Sequence, residues 1–309
     1  MTANMKERYG LMAILVLMGA GWGATQPLSK IAVSDGYLPM GLVFWQLAVG
    51  SVILGTFNVI RGKGLPFSPR HLRLYIILAV VGTVLPNATS FRAYIHLPSG
   101  VMSIIIAMVP MFAFPVALAF GNDRFNWRAL IGLSFGLAGV ALLVLPDASL
   151  PERAMIAFIP LALVAPFCYA FEGNIVAKWG TYGLDAVQVL LGASIVGTAI
   201  SLPLAIGTGH WINPLPPYGA PDLALVAGSA IHAFVYSGYV WMVTRAGAVF
   251  AAQVSYLVTG FGVTWAMIFL GESYSQYIWA AMGLMFVGMF LVQPRLTTPK
   301  TADLPPTAP

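Results

Sequence analysis

Glu172 and His232 are the ionisable side chains that lie deepest within long apolar stretches of this sequence. An ionised group near the centre of a bilayer costs at least ~2.5–3.5 kcal/mol, and such groups usually face a cavity. Glu172 lies about five residues past the middle of its stretch, or ~7–8 Å from the midplane at ~1.5 Å per residue. A carboxyl group at that depth can hold a cationic group or exchange a proton. We therefore interpret Glu172 as the central functional group, whereas His232 is either functional or a buried, satisfied imidazole.

Other polar and aromatic side chains follow helical spacing around these two. Tyr169 precedes Glu172 by one turn, and Tyr236 and Tyr239 continue the face of His232. Aromatic faces around a carboxylate favour a cationic ligand. The competing interpretation is that Trp and Tyr are interfacial anchors. The candidate substrate-binding residues are Glu172, Tyr169, His232, Tyr236, Tyr239, Trp22, Gln26, Asn87, Phe91, Tyr94, Arg92, Tyr256 and Gln253.

The composition excludes most other classes of function. Hydrophobic residues make up 59% of the 309 and charged residues 8%, against roughly a quarter charged in soluble domains. The net charge of +5 comes from scattered basic residues and forms no face for nucleic acid. The four histidines show no metal-ligand spacing, and no phosphate-binding loop is present. We expect no cofactor, no metal and no nucleic-acid partner, and a protein that is not an enzyme.

The chain divides into ten apolar stretches, each long enough to cross a bilayer. Their approximate ranges are 10–33, 39–60, 72–96, 99–120, 127–146, 155–178, 185–206, 221–244, 247–270 and 275–294. With a cytoplasmic N-terminus, twelve of the fifteen Lys and Arg residues fall on the inner side and Lys30, Arg92 and Arg153 on the outer. The positive-inside rule therefore places both termini in the cytoplasm. The first stretch is too long for the apolar core of a signal peptide, and the Pro-rich segment 295–309 is expected to be a disordered cytoplasmic tail.

The two halves of the chain share a pattern. Residues 97–123 run from Pro98-Ser99-Gly100 through an apolar helix to Gly121-Asn122, and the second half runs from Gly247 to Gly271-Glu272 in the same way. Because five is odd, a second five-helix copy enters the membrane from the opposite side. We therefore predict an all-α integral membrane protein of ten transmembrane helices, in which two inverted five-helix repeats, 10–146 and 155–294, surround a central cavity.

These motifs resemble the drug/metabolite transporter superfamily, in its EamA-like branch. The resemblance rests on Trp22-Gly23 followed by Lys30, Pro98-Ser99-Gly100, Pro110 and Gly271-Glu272. It departs where Gly121-Asn122 stands in place of the usual Gly-Glu. The resemblance implies a cavity lined by helices one, three, four, six, eight and nine, with helices five and ten outside, and transport of small metabolites, often outward.

We therefore predict a secondary transporter, working by alternating access, that exports a small amphipathic metabolite such as an amino acid or amine. Glu172 is its candidate proton-coupling group. The residues leave open an uncoupled facilitator or an importer of an organic cation, and more remotely a channel or an intramembrane enzyme. The expected partners are the lipid bilayer and a small-molecule substrate, the expected location is the inner (plasma) membrane, and the expected state is a monomer or weak homodimer.

Overall fold

All regular secondary structure in the described residues is helical. The computed structural model describes residues 2–146, 148–246 and 254–292. Its α-helices are α1 Thr2–Ala32, α2 Pro39–Ile60, α3 Pro69–Ile77, α4 Leu85–His96, α5 Ser99–Ile106, α6 Val109–Phe120, α7 Trp127–Val144, α8 Ile159–Trp179, α9 Ala186–Gly207, α10 Ala220–Ala246, α11 Val254–Leu270 and α12 Gln276–Val292. A π-helical segment, Leu78–Val84, joins α3 to α4, and a 3₁₀ segment, Arg153–Phe158, leads into α8.

Among the described residues, seven helical segments are long and apolar enough to cross a membrane. They are Tyr9–Ala32, Pro39–Ile60, Pro69–His96, Ser99–Phe120, Trp127–Val144, Arg153–Trp179 and Ala186–Gly207. The shorter helices α11 and α12 are also apolar. The prediction of an all-α, multi-pass membrane protein is therefore confirmed, while Gln253 and the predicted tail 295–309 lie outside the described residues.

The third apolar stretch is not a uniform helix. The Leu85 N–H bonds the Val80 carbonyl, which is the i to i−5 pattern of a π-helix. Pro86 follows at the start of α4 and cannot donate the α-helical hydrogen bond to the Gly82 carbonyl. The widened turn thus sits directly before a proline, and Gly82 lies within it.

The fourth stretch breaks at residues 107 and 108, between α5 and α6. Ala107 and Met108 donate to the carbonyls of Ile104 and Ile105 at 3.1 and 3.0 Å, which tightens the last turn of α5. Pro110 has no N–H for the Ile106 carbonyl, so the α-helical pattern stops there. The stretch is therefore two helices, α5 and α6, separated by an interruption at Ala107 and Met108.

Helices α7 and α12 pack closely on each other, away from the cavity. A Cβ at Gly132 would lie 2.7 Å from the Gly288 carbonyl oxygen, and a Cβ at Gly288 would lie 3.2 Å from the backbone nitrogen of Gly136. Only glycine allows these backbones to come so near. The Gly132-x-x-x-Gly136 pair is therefore occupied by packing within the chain.

The remaining helices surround a central space. Helix α1 packs on α10 and α11, α2 on α9 and α10, α8 on α4 and α6, and α5 on α11. The largest cluster of buried apolar residues draws on α2, α4, α5 and α12, and includes Leu42, Ile104 and Met285. This cluster holds the helices that carry the polar side chains in fixed positions around the cavity.

Candidate functional site

One cavity of about 480 Å³ lies between α1, α2, the π segment, α4, α5, α8, α10 and α11. It is large enough for a small organic solute. Ten of the residues predicted from the sequence line it: Trp22, Gln26, Asn87, Phe91, Tyr94, Tyr169, Glu172, His232, Tyr236 and Tyr239. The structure therefore brings together side chains from four helices, α1, α4, α8 and α10, that are far apart in the sequence.

Two predicted residues lie elsewhere. Arg92 is exposed and does not line the cavity, because it stands about 100° around α4 from its cavity-facing neighbour Phe91. Tyr256 is turned away in the same manner from Ser255, and its ring packs against Phe286 of α12 with centroids 5.9 Å apart.

The carboxylate of Glu172 lies against the π segment. A Cβ at position 82 would stand 2.3 Å from Oε1 and 2.8 Å from Oε2 of Glu172, so Gly82 leaves the space that the carboxylate occupies. Within the described ranges, no side chain or backbone group donates a hydrogen bond to Glu172 and no cation pairs with it. The glutamate is half-buried and lines the cavity, so its oxygens are available to a ligand.

An aromatic wall stands on the α1–α10 side of the cavity. The Trp22 Nε1 donates to His232 Nδ1 at 3.2 Å, which makes that nitrogen an acceptor and puts the imidazole proton on Nε2. The Trp22 ring centroid lies 6.4 Å from that of Tyr236 and 5.6 Å from that of Tyr239. Aromatic faces at these separations offer a surface for an apolar or cationic group.

A chain of hydrogen bonds crosses the cavity wall from α8 to α2. The Tyr169 hydroxyl donates to Asn87 Oδ1 at 3.1 Å, and Asn87 Nδ2 donates to Gln46 Oε1 at 3.3 Å. On α1, the amide oxygen of Gln26 accepts from the Tyr94 hydroxyl. Gln46 was missed by sequence reasoning, although a glutamine within the apolar stretch of α2 was a detectable signal.

Glu272, which follows α11, binds the start of α5. Glu272 Oε1 accepts from the Ser99 N–H at 2.7 Å and Oε2 from the Gly100 N–H at 3.0 Å, at the start of α5. The Tyr274 hydroxyl donates to the same carboxylate at 2.6 Å. Burial and the hydrogen bond to Glu272 raise the pKa of Tyr274. A carboxylate at a helix N-terminus accepts hydrogen bonds from otherwise unpaired N–H groups and interacts favourably with the positive end of the helix dipole.

Lys30, on α1, contacts the end of α4. Its Nζ donates to the carbonyl oxygens of Tyr94 and Leu97 at 2.5 and 3.1 Å, where α4 ends. The distribution of charge in the sequence assigns Lys30 to the outer side of the membrane. In the structure, its ammonium group donates hydrogen bonds to carbonyl oxygens at the C-terminal end of α4.

At the opposite end, Asp185 caps α9 and pairs with the loop after α2. Its Oδ2 lies 2.6 Å from Arg61 Nη2 and 2.6 Å from Lys63 Nζ. Burial raises the pKa of Asp185, but hydrogen bonds from Lys63 and Arg61 outweigh it and lower the pKa to about 2. This cluster fixes the α2–α3 loop on the N-terminus of α9. Within the described part of the chain, no three His, Cys, Asp or Glu side chains are grouped as a metal site.

A helical membrane fold with a polar, aromatic-lined central cavity is typical of membrane transport proteins. The chain matches the EamA-like transporter family over residues 9–145 and again over residues 156–293, and it belongs to that family. It is accordingly a transporter and not an enzyme.

Several relatives match over most of the chain. One from Streptantibioticus cattleyicolor, named as a probable terminal-alkyne amino-acid exporter, is 23% identical over 91% of this chain and 92% of its own length. The inner membrane transporter YedA of Escherichia coli, described as uncharacterized, is 22% identical over 88% and 86%. An S-adenosylmethionine/S-adenosylhomocysteine transporter of Chlamydia trachomatis is 23% identical over 88% and 85%. A crystal structure shares the fold, with a TM-score of 0.61 and 16% identity over 90% of this chain and 94% of that chain.

Proposed function

We propose that this protein is a secondary transporter which exports small solutes carrying a cationic group, and that Glu172 binds that group in exchange for a proton. The observation that carries the proposal is the Glu172 carboxylate, which faces the cavity without a donor or cation from the described residues. Leaving a charge in that position is costly unless it is compensated. A cationic substrate or a proton supplies the compensation, and the two compete for the same oxygens.

The aromatic wall supports the same substrate class. Trp22, Tyr236 and Tyr239 line the cavity together with Glu172, so an ammonium group at the carboxylate is accompanied by rings that accept its apolar body and its charge. Two of the relatives are named for substrates, an amino acid and S-adenosylmethionine, that bear amino groups.

The proposed mechanism is alternating access between two inverted five-helix repeats, 10–146 and 155–294. Its support is that equivalent apolar stretches of the two halves, which lie five places apart in the order of the ten, pack on equivalent neighbours. The first stretch (α1) packs on the ninth (α11), and its equivalent, the sixth (α8), packs on the fourth (α5 and α6). Likewise α1 packs on α10 as α8 packs on α4, and the equivalent pairs α2–α9 and α7–α12 pack on each other. The family also matches each half separately. The break before Pro110 and the π segment are the sites where we expect the helices to bend.

The remaining elements of the proposal concern the membrane. We propose ten spans with both termini and the tail 295–309 in the cytoplasm, supported by the distribution of basic residues. The name of the E. coli relative supports an inner-membrane location. The close packing of α7 on α12 through Gly132 and Gly288 supports a monomer.

Transport into proteoliposomes tests the coupling. Labelled leucine is offered outside vesicles whose interior is acidic, and a pH-sensitive dye inside reports the proton flux. The proposal predicts that leucine enters while protons leave, so the interior becomes more alkaline. In Glu172→Gln, which keeps the shape of the side chain, the response of leucine uptake to the gradient is lost. Leucine uptake that ignores the gradient in the native protein points to an uncoupled facilitator, and an unchanged gradient response in Glu172→Gln rules out the assigned role of Glu172.

A further inference from the structure

We infer that the side-chain amide of Gln46 is a hydrogen-bond donor subsite for an oxygen of the substrate. The cavity then has an acceptor pole at Glu172 and a donor pole on α2, and it selects solutes that carry both a cationic group and a carbonyl or carboxylate oxygen. This inference rests on the proposed role of Glu172 and narrows the substrate class.

The direction of the hydrogen-bond chain determines what Gln46 offers. Asn87 Oδ1 accepts from the Tyr169 hydroxyl at 3.1 Å, which leaves its Nδ2 to donate to Gln46 Oε1 at 3.3 Å. The amide oxygen of Gln46 is therefore occupied by the protein. The two N–H groups on its Nε2 remain as donors, and no acceptor for them is present among the described residues.

These donors reach the cavity. Gln46 is half-buried and lines the cavity. Its Nε2 is not among the fully enclosed polar atoms that lack a partner, which in the described residues are Ser51 Oγ, Asn58 Oδ1 and Ser99 Oγ. A polar group in such a place needs either water or a ligand oxygen as its partner.

The donor pole lies in the same part of the cavity as Glu172. Tyr169, the first donor in the series of hydrogen bonds that leads to Gln46, precedes Glu172 by three residues on α8, or ~4.5 Å along the helix axis. Gln26 is oriented in a similar way by Tyr94, but Tyr94 lies seven residues beyond Asn87 on α4, or ~10.5 Å farther along the axis. Gln46 is therefore the donor closer to the carboxylate.

A neutral amide has a particular consequence for selection. Because it carries no charge, it can bind a carboxylate or an uncharged carbonyl and does not hold an anion permanently in the cavity. A simple amine leaves the Gln46 donors without a solute partner, and sites built around a polar contact discriminate against ligands that lack it. The geometry therefore favours amino acids and their amides over amines with the same apolar body.

The test compares three ligands that share one side chain: leucine, leucinamide and 3-methylbutylamine. Dissociation constants come from the rise in melting temperature of the purified full-length protein with ligand concentration. We expect the native protein to bind leucine and leucinamide about tenfold more tightly than the amine, the factor that one hydrogen bond supplies. In Gln46→Leu that ratio falls to about one, because leucine and leucinamide lose the hydrogen bond that the amine never makes.

Controls separate the possible causes. Thr56→Val, at an exposed position on α2 outside the cavity, keeps the native ratio. Tyr169→Phe removes the donor that orients Asn87, so it reduces the ratio in part. If Gln46→Leu does not fold, Gln46→Met supplies the same loss of donors with an unbranched side chain.

Three results overturn the inference: a native protein that binds the amine as tightly as leucine, an undiminished preference for leucine in Gln46→Leu, or the same loss in Thr56→Val. Failure of the proposed function has a different signature. In that case Glu172→Gln binds 3-methylbutylamine as well as the native protein does, whatever the effect of Gln46.

Discussion

The contact between α7 and α12 yields a pair of glycine substitutions with opposite effects. A Cβ at Gly288 would lie 2.6 Å from the Gly132 carbonyl oxygen and 2.7 Å from Met111 Cε. That oxygen belongs to the backbone and is ~0.9 Å inside the ~3.5 Å separation at which non-bonded contacts are favourable. Gly288→Ala must therefore push the two helices apart, and forced packing of this kind costs ~1–3 kcal/mol.

Gly283 is the matched control, since it lies on the same helix and a Cβ there would meet no atom within 4 Å. Alanine in a helix is favoured over glycine by ~0.5–1 kcal/mol, and both variants receive this gain. The difference between Gly288→Ala and Gly283→Ala therefore isolates the contact and amounts to ~1–3 kcal/mol. At ~2–4 °C per kcal/mol, it corresponds to roughly 2–12 °C in melting temperature.

The assay is thermal unfolding of both purified variants beside the native protein in one detergent. We expect Gly283→Ala to melt at or above the native temperature and Gly288→Ala below it. If Gly288→Ala melts as high as Gly283→Ala, the close approach of α7 and α12 is refuted. The assignment of Gly132 and Gly136 to packing within the chain is then refuted as well.

Three further substitutions test the site and its surroundings. Gly82→Ala introduces a Cβ 2.3 Å from the movable Glu172 carboxylate, so we expect cation affinity to fall about tenfold or more while the melting temperature changes little; a native affinity contradicts the placement of the carboxylate. Glu272→Gln leaves one of two buried N–H groups at the start of α5 without an acceptor, and we expect a loss of ~1–3 kcal/mol in thermal unfolding, with no loss counting against the cap. Asp185 has a pKa lowered from 3.8 to about 2, so the stability that its carboxylate contributes is complete above about pH 4 and is lost as the pH falls toward 2. We expect the melting temperature of Asp185→Asn to lie below that of the native protein at pH 6 and to converge with it at low pH. A difference in melting temperature that does not change with pH would contradict this.

Much of the site follows from helical spacing alone. Tyr169 and Glu172 share one face of α8, and His232 and Tyr236 share one face of α10, and all four line the cavity. The apolar stretches leave few polar groups, so the periodicity of those few indicates which face is turned inward. The transporter family was likewise evident from the sequence motifs.

The rest depends on contacts between distant segments, which spacing does not define. Gln46 is held at the cavity by a hydrogen bond from Asn87, which lies 41 residues away in the sequence. Lys30 and Glu272 satisfy helix ends that only tertiary packing brings to them. Arg92 was among the predicted binding residues, yet it stands one residue from Phe91, and a shift of one residue turns a side chain by about 100° on a helix.

The proposed contact between Glu172 and the cationic group of the substrate can be measured with two ligands of the same shape. 3-Methylbutylamine and 3-methylbutanol differ in the charged group alone, and each is titrated against the native protein and Glu172→Gln by thermal unfolding. At a concentration of 100 times the dissociation constant, a ligand stabilises the native state by ~2.7 kcal/mol, or roughly 5–11 °C. We expect this shift for the amine with the native protein, and little or none for the alcohol or for Glu172→Gln. An equal shift by the amine in Glu172→Gln would contradict it.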